Sequence, residues 1–230
     1  MSNRSLTPRL ALAASLVRRG AYFADIGTDH AYLAIELLRS GKVERAVLSD
    51  INRGPLARAE ENAREAGVLD RAELVLSDGA SHLEAYPVTD VAVLGMGGEL
   101  IAAIVSAAPC LKREGVRLIL GPMTRPEALR RALFEGGFSI DEEHYVFDSG
   151  RYYLTVVATY SGKRYEYSEA DAAFGRAEHF QSVTPDMLGY MRVRLSSLQA
   201  VVRGKAQSAD GAEAERALIK TLIERLEGKL

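Results

Sequence analysis

The residues able to do chemistry gather just past short apolar runs. Asp25-Ile-Gly-Thr-Asp-His30 overlaps the end of the run from Tyr22, Asp50 closes Ala46-Asp50, Asp78-Gly79 follows Glu73-Ser77, and Gly95-Met-Gly-Gly-Glu99 follows Val91-Leu94. If those runs are strands of a wound parallel sheet, all four sites open into one crevice beyond the strands' carboxyl ends. Gly27 lets the backbone pass close to a ligand there. The loop lacks the second and third glycines that cradle a pyrophosphate at a helix N-terminus, which argues against a dinucleotide. Acids and an imidazole stand in their place, a set suited to a cationic, amine-bearing ligand. Asp50 comes 23 residues after Gly27, where an acid can accept both hydroxyls of a ribose, and Asp78-Gly79 can meet an adenine edge. The glycine-rich turn at Gly95 lets a bulky substrate approach the backbone. Taken singly, strand-end acids commonly cap helices and glycine clusters commonly only turn the chain. Occurring together, one after each successive strand, they describe a site for a ligand with ribose and adenine but no pyrophosphate. S-adenosylmethionine fits that description best.

The elements that must position these residues are legible. From residue 21 to 162 short apolar runs alternate with helical patterns, the signature of a parallel α/β sheet. The runs Tyr22-Asp25, Ala46-Asp50, Glu73-Ser77, Val91-Leu94 and Arg117-Leu120 are continuous, as for strands buried on both faces. Gly41 and Gly67 can end the first two intervening helices, and Pro55 suits the first turn of the second. Thr124-Arg-Pro-Glu127 predicts a capping box opening a helix that runs to Gly136. Phe138-Phe147 and Tyr152-Tyr160, joined by Asp148-Ser-Gly150, predict an antiparallel pair. Leu188, Met191, Leu195, Leu198 and Val202, then Ile219, Leu222 and Leu226, recur at three- and four-residue spacing, so two helices should fold back as a coiled-coil-like hairpin around Gln207-Gly211. The expected organisation is a Rossmann-like domain over 1-162, a connector over 163-184 and a helical hairpin over 185-230.

Composition narrows the function classes. The chain has 230 residues, 47% hydrophobic and 26% charged, which excludes disorder and collagen-like repeats. The lone cysteine, Cys110, excludes an internal disulfide and reads as inert core. Net charge is -2, so whole-chain charge does not advertise nucleic-acid binding. Its distribution is uneven, however. Residues 1-20 carry four arginines (Arg4, Arg9, Arg18, Arg19) and no acid. Residues 184-230 carry eight basic residues against six acids, and the middle is acidic. Basic ends suit contact with an anionic polymer, and equally suit ordinary solvated helix faces. No apolar run reaches the roughly 20 residues of a membrane span. Arg18-Arg19 stands where a signal-peptide cleavage site would be, so the N-terminal apolar stretch is expected to be a folded helix of a cytoplasmic protein.

Four strings carry a resemblance. Asp25-Ile-Gly-Thr-Asp-His-Ala-Tyr-Leu33, Asp50-Ile-Asn-Arg-Gly-Pro-Leu56, Gly95-Met-Gly-Gly98 and Leu118-Ile-Leu-Gly-Pro122 resemble the bacterial TrmK family of tRNA (adenine-N1)-methyltransferases, which act on the adenosine at position 22. The likeness runs from the Arg9-Leu10 helix to the helical hairpin. It departs at Gly121, where Gln is expected, and at Gly175-Arg176, where Gly-Pro is expected. The resemblance implies a class I (Rossmann-like) S-adenosylmethionine-dependent methyltransferase fold of α/β class. It implies a cofactor site at Asp25, Gly27, Asp50, Ile51, Asp78, Gly79 and Gly95, tRNA contacts at Arg9, Gly97, Gly98, Arg192 and Arg194, and a monomer or weak homodimer.

The implied reaction needs little acid-base chemistry. Adenine N1 carries a lone pair at neutral pH and attacks the sulfonium methyl directly. A carboxylate or carbonyl near N1 or N6 would then stabilise the cationic product base. N1 is a Watson-Crick atom, so the base must be exposed before reaction. Asp29 and His30, beside the cofactor, are the leading catalytic candidates, although His30 serves equally as a locally bonded helix-start residue. Glu99 is a weaker candidate, since a first-turn acid suits the helix dipole, and Tyr32 suits either base stacking or core. His82, His144 and His179 are scattered, and no His/Cys/Asp spacing suggests a metal. Rival readings are a small-molecule or protein methyltransferase, a methyltransferase for another RNA site, a nucleotide-dependent oxidoreductase and a catalytically inactive RNA-binding relative. The basic ends and hairpin count against the small-molecule enzyme, and the retained Asp25, Gly27, Asp29, His30 and Asp50 against the inactive relative.

Overall fold

Apolar runs that must be buried on both faces pair most simply as parallel strands. The computed structural model, which describes residues 5–176, 183–205 and 212–228, shows that arrangement. β1 (Tyr22–Ile26), β2 (Arg45–Asp50), β3 (Ala72–Leu76), β4 (Asp90–Gly97) and β5 (Arg117–Thr124) run parallel. β6 (Phe138–Asp148) and β7 (Arg151–Tyr160) join antiparallel at one edge. The sheet has seven strands in the order β3-β2-β1-β4-β5-β7-β6. Side chains alternate between two cores. Phe23, Leu48, Ala92 and Ile119 meet α1 (Pro8–Leu16), α2 (Tyr32–Arg39) and α3 (Arg53–Glu65) on one face. Ala24, Val47, Val91, Leu118 and Leu120 meet α4 (Gly98–Ala107) and α5 (Pro126–Gly136) on the other. Ser149 and Gly150, at φ +48° and +83°, form the two-residue turn between β6 and β7.

One local expectation needs correction. The capping box at Thr124-Glu127 does not form. Thr124 stays in β5 opposite Gly97, Arg125 occupies the cap position in left-handed conformation (φ +53°), and no side chain caps α5. Tertiary pairing won at both ends of the motif, because Glu127 is held by Arg194 at 3.1 Å. A capping box occurs instead at Ser168 and Asp171, opening α6 (Glu169–Phe174) inside the stretch read as a connector.

α6 joins the tail to the sheet. Arg130 of α5 is fully buried and forks onto Glu143 of β6, Nε to Oε1 at 2.6 Å and Nη2 to Oε2 at 2.9 Å. Its Nη1 donates to the carbonyls of Ala172 and Ala173 at 3.0 and 3.2 Å, and Tyr145 Oη donates to Glu143 at 2.9 Å. α7 (Pro185–Lys205) and α8 (Glu213–Glu227) pack as a pair, with Met187, Met191 and Leu222 on Phe174 of α6. Arg225 of α8 donates to Gly175 O at 2.5 Å and to Asp171 at 2.7 Å. The Gln207-Gly211 turn lies outside the described residues.

A buried pair of this kind is costly to break from one side. Glu143→Ala should therefore destabilise the protein by about 3–5 kcal/mol, because it strands the Arg130 charge. The double variant Arg130→Met/Glu143→Leu should recover most of that loss. Denaturant titration of both checks the sign and the recovery.

Candidate active site

Chain order explains where the site lies. From β1 the chain winds outward through β2 and β3, then crosses back to β4 and β5 on the other side of β1. The loops after β1 and β4 therefore diverge and leave a crevice between them.

The loop after β1 is tied to its neighbours. Gly27 and Thr28 donate their amides to Ser49 O at 2.8 and 3.1 Å, which pins the loop to the end of β2. Gly27 has φ +77°, a conformation that favours glycine, and a Cβ on it would displace the terminal methyl of Met96, 2.2 Å away. Asp25 is buried and accepts from Thr28 Oγ1 at 2.8 Å. Burial pushes its pKa up to about 6 against that single hydroxyl bond. A buried carboxyl with one donor suits the ammonium group of an incoming ligand.

Asp50 accepts from the Asn52 amide through Oδ1 at 2.8 Å, and its carboxyl stands half-buried at the end of β2. Ile51 is 62% and Leu76 48% exposed, apolar surface beside Asp50 that suits the faces of an adenine ring. Asp78 is exposed in the turn after β3, next to Gly79 at φ +66°. Gly95, at φ +80°, lies where the β4–β5 register shifts, with open space where a Cβ would stand. A buried acid, a ribose-height acid and exposed apolar side chains together fit S-adenosylmethionine.

Asp29 and His30 stand on the same loop, at its solvent side. Arg58 of α3 donates to Asp29 Oδ1 at 2.5 Å and holds that carboxyl below the usual range, while His30 Nε2 stands 3.4 Å from Oδ2. The His30 ring stacks on Tyr32 with centroids 5.2 Å apart, and its carbonyl accepts from Asn62 Nδ2 at 3.0 Å. Arg58 and Asn62 were not singled out in the sequence. Their signal was the helix that opens at Asn52-Arg-Gly-Pro55, which turns both residues toward the loop.

Other expected contacts divide. Gly97 caps α4, with Thr124 Oγ1 3.2 Å from where a Cβ would stand. Gly98 is buried, and a Cβ there would come within 2.2 Å of Arg125 O. Gly98 is thus needed for backbone packing, whatever else approaches it. Glu99 pairs with Arg125 at 3.1 Å, joining the starts of α4 and α5. Arg9 lies beside Met123, near the end of β5. Arg192 is exposed on α7, whereas Arg194 is held by Glu127. Arg18 has a structural partner. It binds buried Asp90 at the opposite, amino-terminal edge of the sheet, and donates to Thr89 O and Gly115 O. Arg4 and His179 lie outside the described residues. Cys110 is buried and donates to Ala80 O at 3.3 Å. Among the described residues no three His, Cys, Asp or Glu side chains converge, and no helix is long and apolar enough to cross a membrane.

The profile of the family described as "Methyltransferase domain" matches residues 6–156. The chain belongs to this methyltransferase family. Its relatives support the TrmK branch. The tRNA (adenine(22)-N(1))-methyltransferase of Bacillus subtilis is 29% identical over 174 residues, 76% of this chain and 70% of that one. The crystal structure of the B. subtilis m1A22 tRNA methyltransferase TrmK superposes with a TM-score of 0.77 at 27% identity, over 97% of this chain and 96% of that one. Streptococcus pneumoniae Sp1610, crystallised with S-adenosyl-L-methionine, superposes with a TM-score of 0.79 at 29% identity, over 95% of this chain and 98% of that one.

Asp25 gives this methyltransferase-family chain a testable signature. Its folded-state pKa, about 6, lies above the ordinary 3.8. The ligand-free protein should therefore be most favoured below pH 3.8 as far as this group is concerned, and lose stability as pH rises through 6. By pH 7.5 the ionised carboxylate should cost on the order of 3 kcal/mol. Asp25→Asn should flatten that part of the pH profile, stabilise the ligand-free protein at pH 7.5 and weaken S-adenosylmethionine binding. Denaturation at several pH values and calorimetry check the two halves separately.

Proposed function

We propose that the chain is an S-adenosylmethionine-dependent methyltransferase that modifies N1 of the adenosine at position 22 of tRNA, in the cytoplasm. The observation that carries this reading is the extent of the likeness. It spans the crevice-bearing sheet and the helical hairpin alike, and the hairpin is the part a small-molecule methyltransferase does not need.

Within this reading Asp25 receives the cofactor's ammonium, Asp50 its ribose hydroxyls, and Ile51 with Asp78 and Gly79 its adenine. Bound there, S-adenosylmethionine supplies an electrophilic methyl group on a sulfonium centre. The protein's part is alignment. The glycine turn from Gly95 to Gly97 lets the flipped base come close to the backbone, so the N1 lone pair can approach in line. Asp29 is the electrostatic residue. Arg58 keeps it ionised, so it acts as a fixed negative charge near the base that becomes cationic rather than as a proton acceptor. His30, stacked on Tyr32, orients the base. Held away from the usual carboxylate range on the acid side, Asp29 contributes no ionisation to the rate profile at neutral pH.

Methyl transfer from labelled S-adenosylmethionine to an unmodified tRNA transcript tests the activity. Asp29→Asn should lower single-turnover rates by about ten- to a hundred-fold, with cofactor affinity changed less than two-fold. Equal rates would make Asp29 structural, and parallel loss of cofactor affinity would make it a cofactor residue.

A further inference from the structure

Near the carboxyl end of β5 and the β6–β7 turn three side chains form a surface that nothing in the cofactor site requires. Arg9, at the start of α1, places its guanidinium carbon 5.4 Å from the centroid of the Tyr153 ring on β7. Its Nη1 lies 3.8 Å from Met123 Sδ near the end of β5. Its amide donates to Asp148 Oδ2 at 3.4 Å, and its Nε stands 3.9 Å from the same oxygen. Asp148 also accepts from Ser149 Oγ, so the carboxylate that braces Arg9 is fixed at the β6–β7 turn.

The guanidinium is nevertheless open. The Arg9 side chain is 41% exposed and Met123 is 39% exposed. Met123 precedes Thr124, which pairs with Gly97 in the turn assigned to the target base. The cluster therefore sits on the strand that borders that turn.

We infer that Arg9, Tyr153 and Met123 form a stacking platform for an unpaired nucleotide flanking the methylated adenosine. The chemistry selects the ligand. A flat cation laid over an aromatic ring, beside a polarisable thioether, accepts a nucleobase on its open face, and its outer N–H groups can donate to the adjoining phosphate. Bracing by Tyr153 and Asp148 fixes the side chain before RNA arrives, so little rotamer freedom is lost on binding. A lysine would keep the charge and lose the plane. The inference rests on the tRNA methyltransferase reading and adds to it the contact that holds the target's neighbour once the base is extruded.

The test uses the full chain, unmodified tRNA transcript and four proteins: wild type, Arg9→Lys, Tyr153→Ala and Tyr153→Phe. Stacking on one base corresponds to roughly a ten- to hundred-fold change in binding. Arg9→Lys should therefore raise KM for tRNA about ten-fold or more with kcat and S-adenosylmethionine affinity unchanged. Its salt dependence of tRNA binding should match wild type, because the charge is retained. Tyr153→Ala should behave in the same way and Tyr153→Phe should restore the wild-type KM. A wild-type KM in Arg9→Lys overturns the platform and leaves Arg9 as a simple charge. That outcome is readable even if Tyr153→Ala fails to fold, since Arg9→Lys keeps the charge and the backbone contact to Asp148. If wild type methylates the transcript while neither Arg9→Lys nor Tyr153→Ala differs from it, the platform alone fails. If wild type transfers no methyl group to tRNA, the activity reading fails and the platform falls with it.

Discussion

The reversal of strand order between β1 and β4 is the constraint on which the molecule depends. Because successive strands wind away from β1 in both directions, the loops after β1 and β4 cannot cover each other, and backbone there must face a ligand or solvent. Every candidate cofactor residue follows from that. Asp25 is carried to the carboxyl end of a buried strand, where desolvation raises its pKa. Gly27 must bend back under Met96. Asp50, Ile51 and Leu76 end the neighbouring strands with polar and apolar groups side by side. A buried acid with one hydrogen bond weakens the ligand-free fold, and it is tolerable because a cation can neutralise it.

A second constraint fixes the tail. The helical pair packs its apolar residues with Phe174 of α6, Arg225 of α8 binds Asp171 and Gly175 O, and the buried Arg130–Glu143 fork holds α6 from beneath. Arg194 adds a tie to Glu127 in the first turn of α5. Charges that look free in the sequence are therefore partly structural. Other cations stay open to solvent, among them the partly exposed Arg9 and the exposed Arg192 and Arg203 of α7.

Much of this was legible in the sequence because it was written in local patterns. Continuous apolar runs gave the five parallel strands, and Asp148-Ser-Gly150 gave the turn at the sheet edge. Strand-end acids gave the position of the crevice, since a side chain at a strand terminus needs no tertiary information to be placed. What the local patterns left out has one cause. Thr124-Glu127 satisfies the capping pattern, yet β-pairing with Gly97 claims Thr124 and an ion pair with a residue 67 positions away claims Glu127. Gly98 reads as a ligand-facing glycine, and only the β5–α5 turn beside it shows that its missing side chain makes room for Arg125 O. Arg18 reads as a free cation until Asp90, 72 residues on, is brought against it. Arg58 went unnoticed for the same reason, as its partner Asp29 lies on another element. Long-range pairing decides all four, and no local pattern encodes it.

The central claim is that this crevice delivers a methyl group to one ring nitrogen of one nucleotide. Its most direct test is to digest an unmodified tRNA transcript after incubation with the protein and S-adenosylmethionine, and to identify and map the modified nucleoside by mass spectrometry. The account predicts 1-methyladenosine at position 22, and no methyl transfer to a transcript carrying guanosine there. Methylation at another atom or another position, or transfer that survives the replacement of that adenosine, would contradict it.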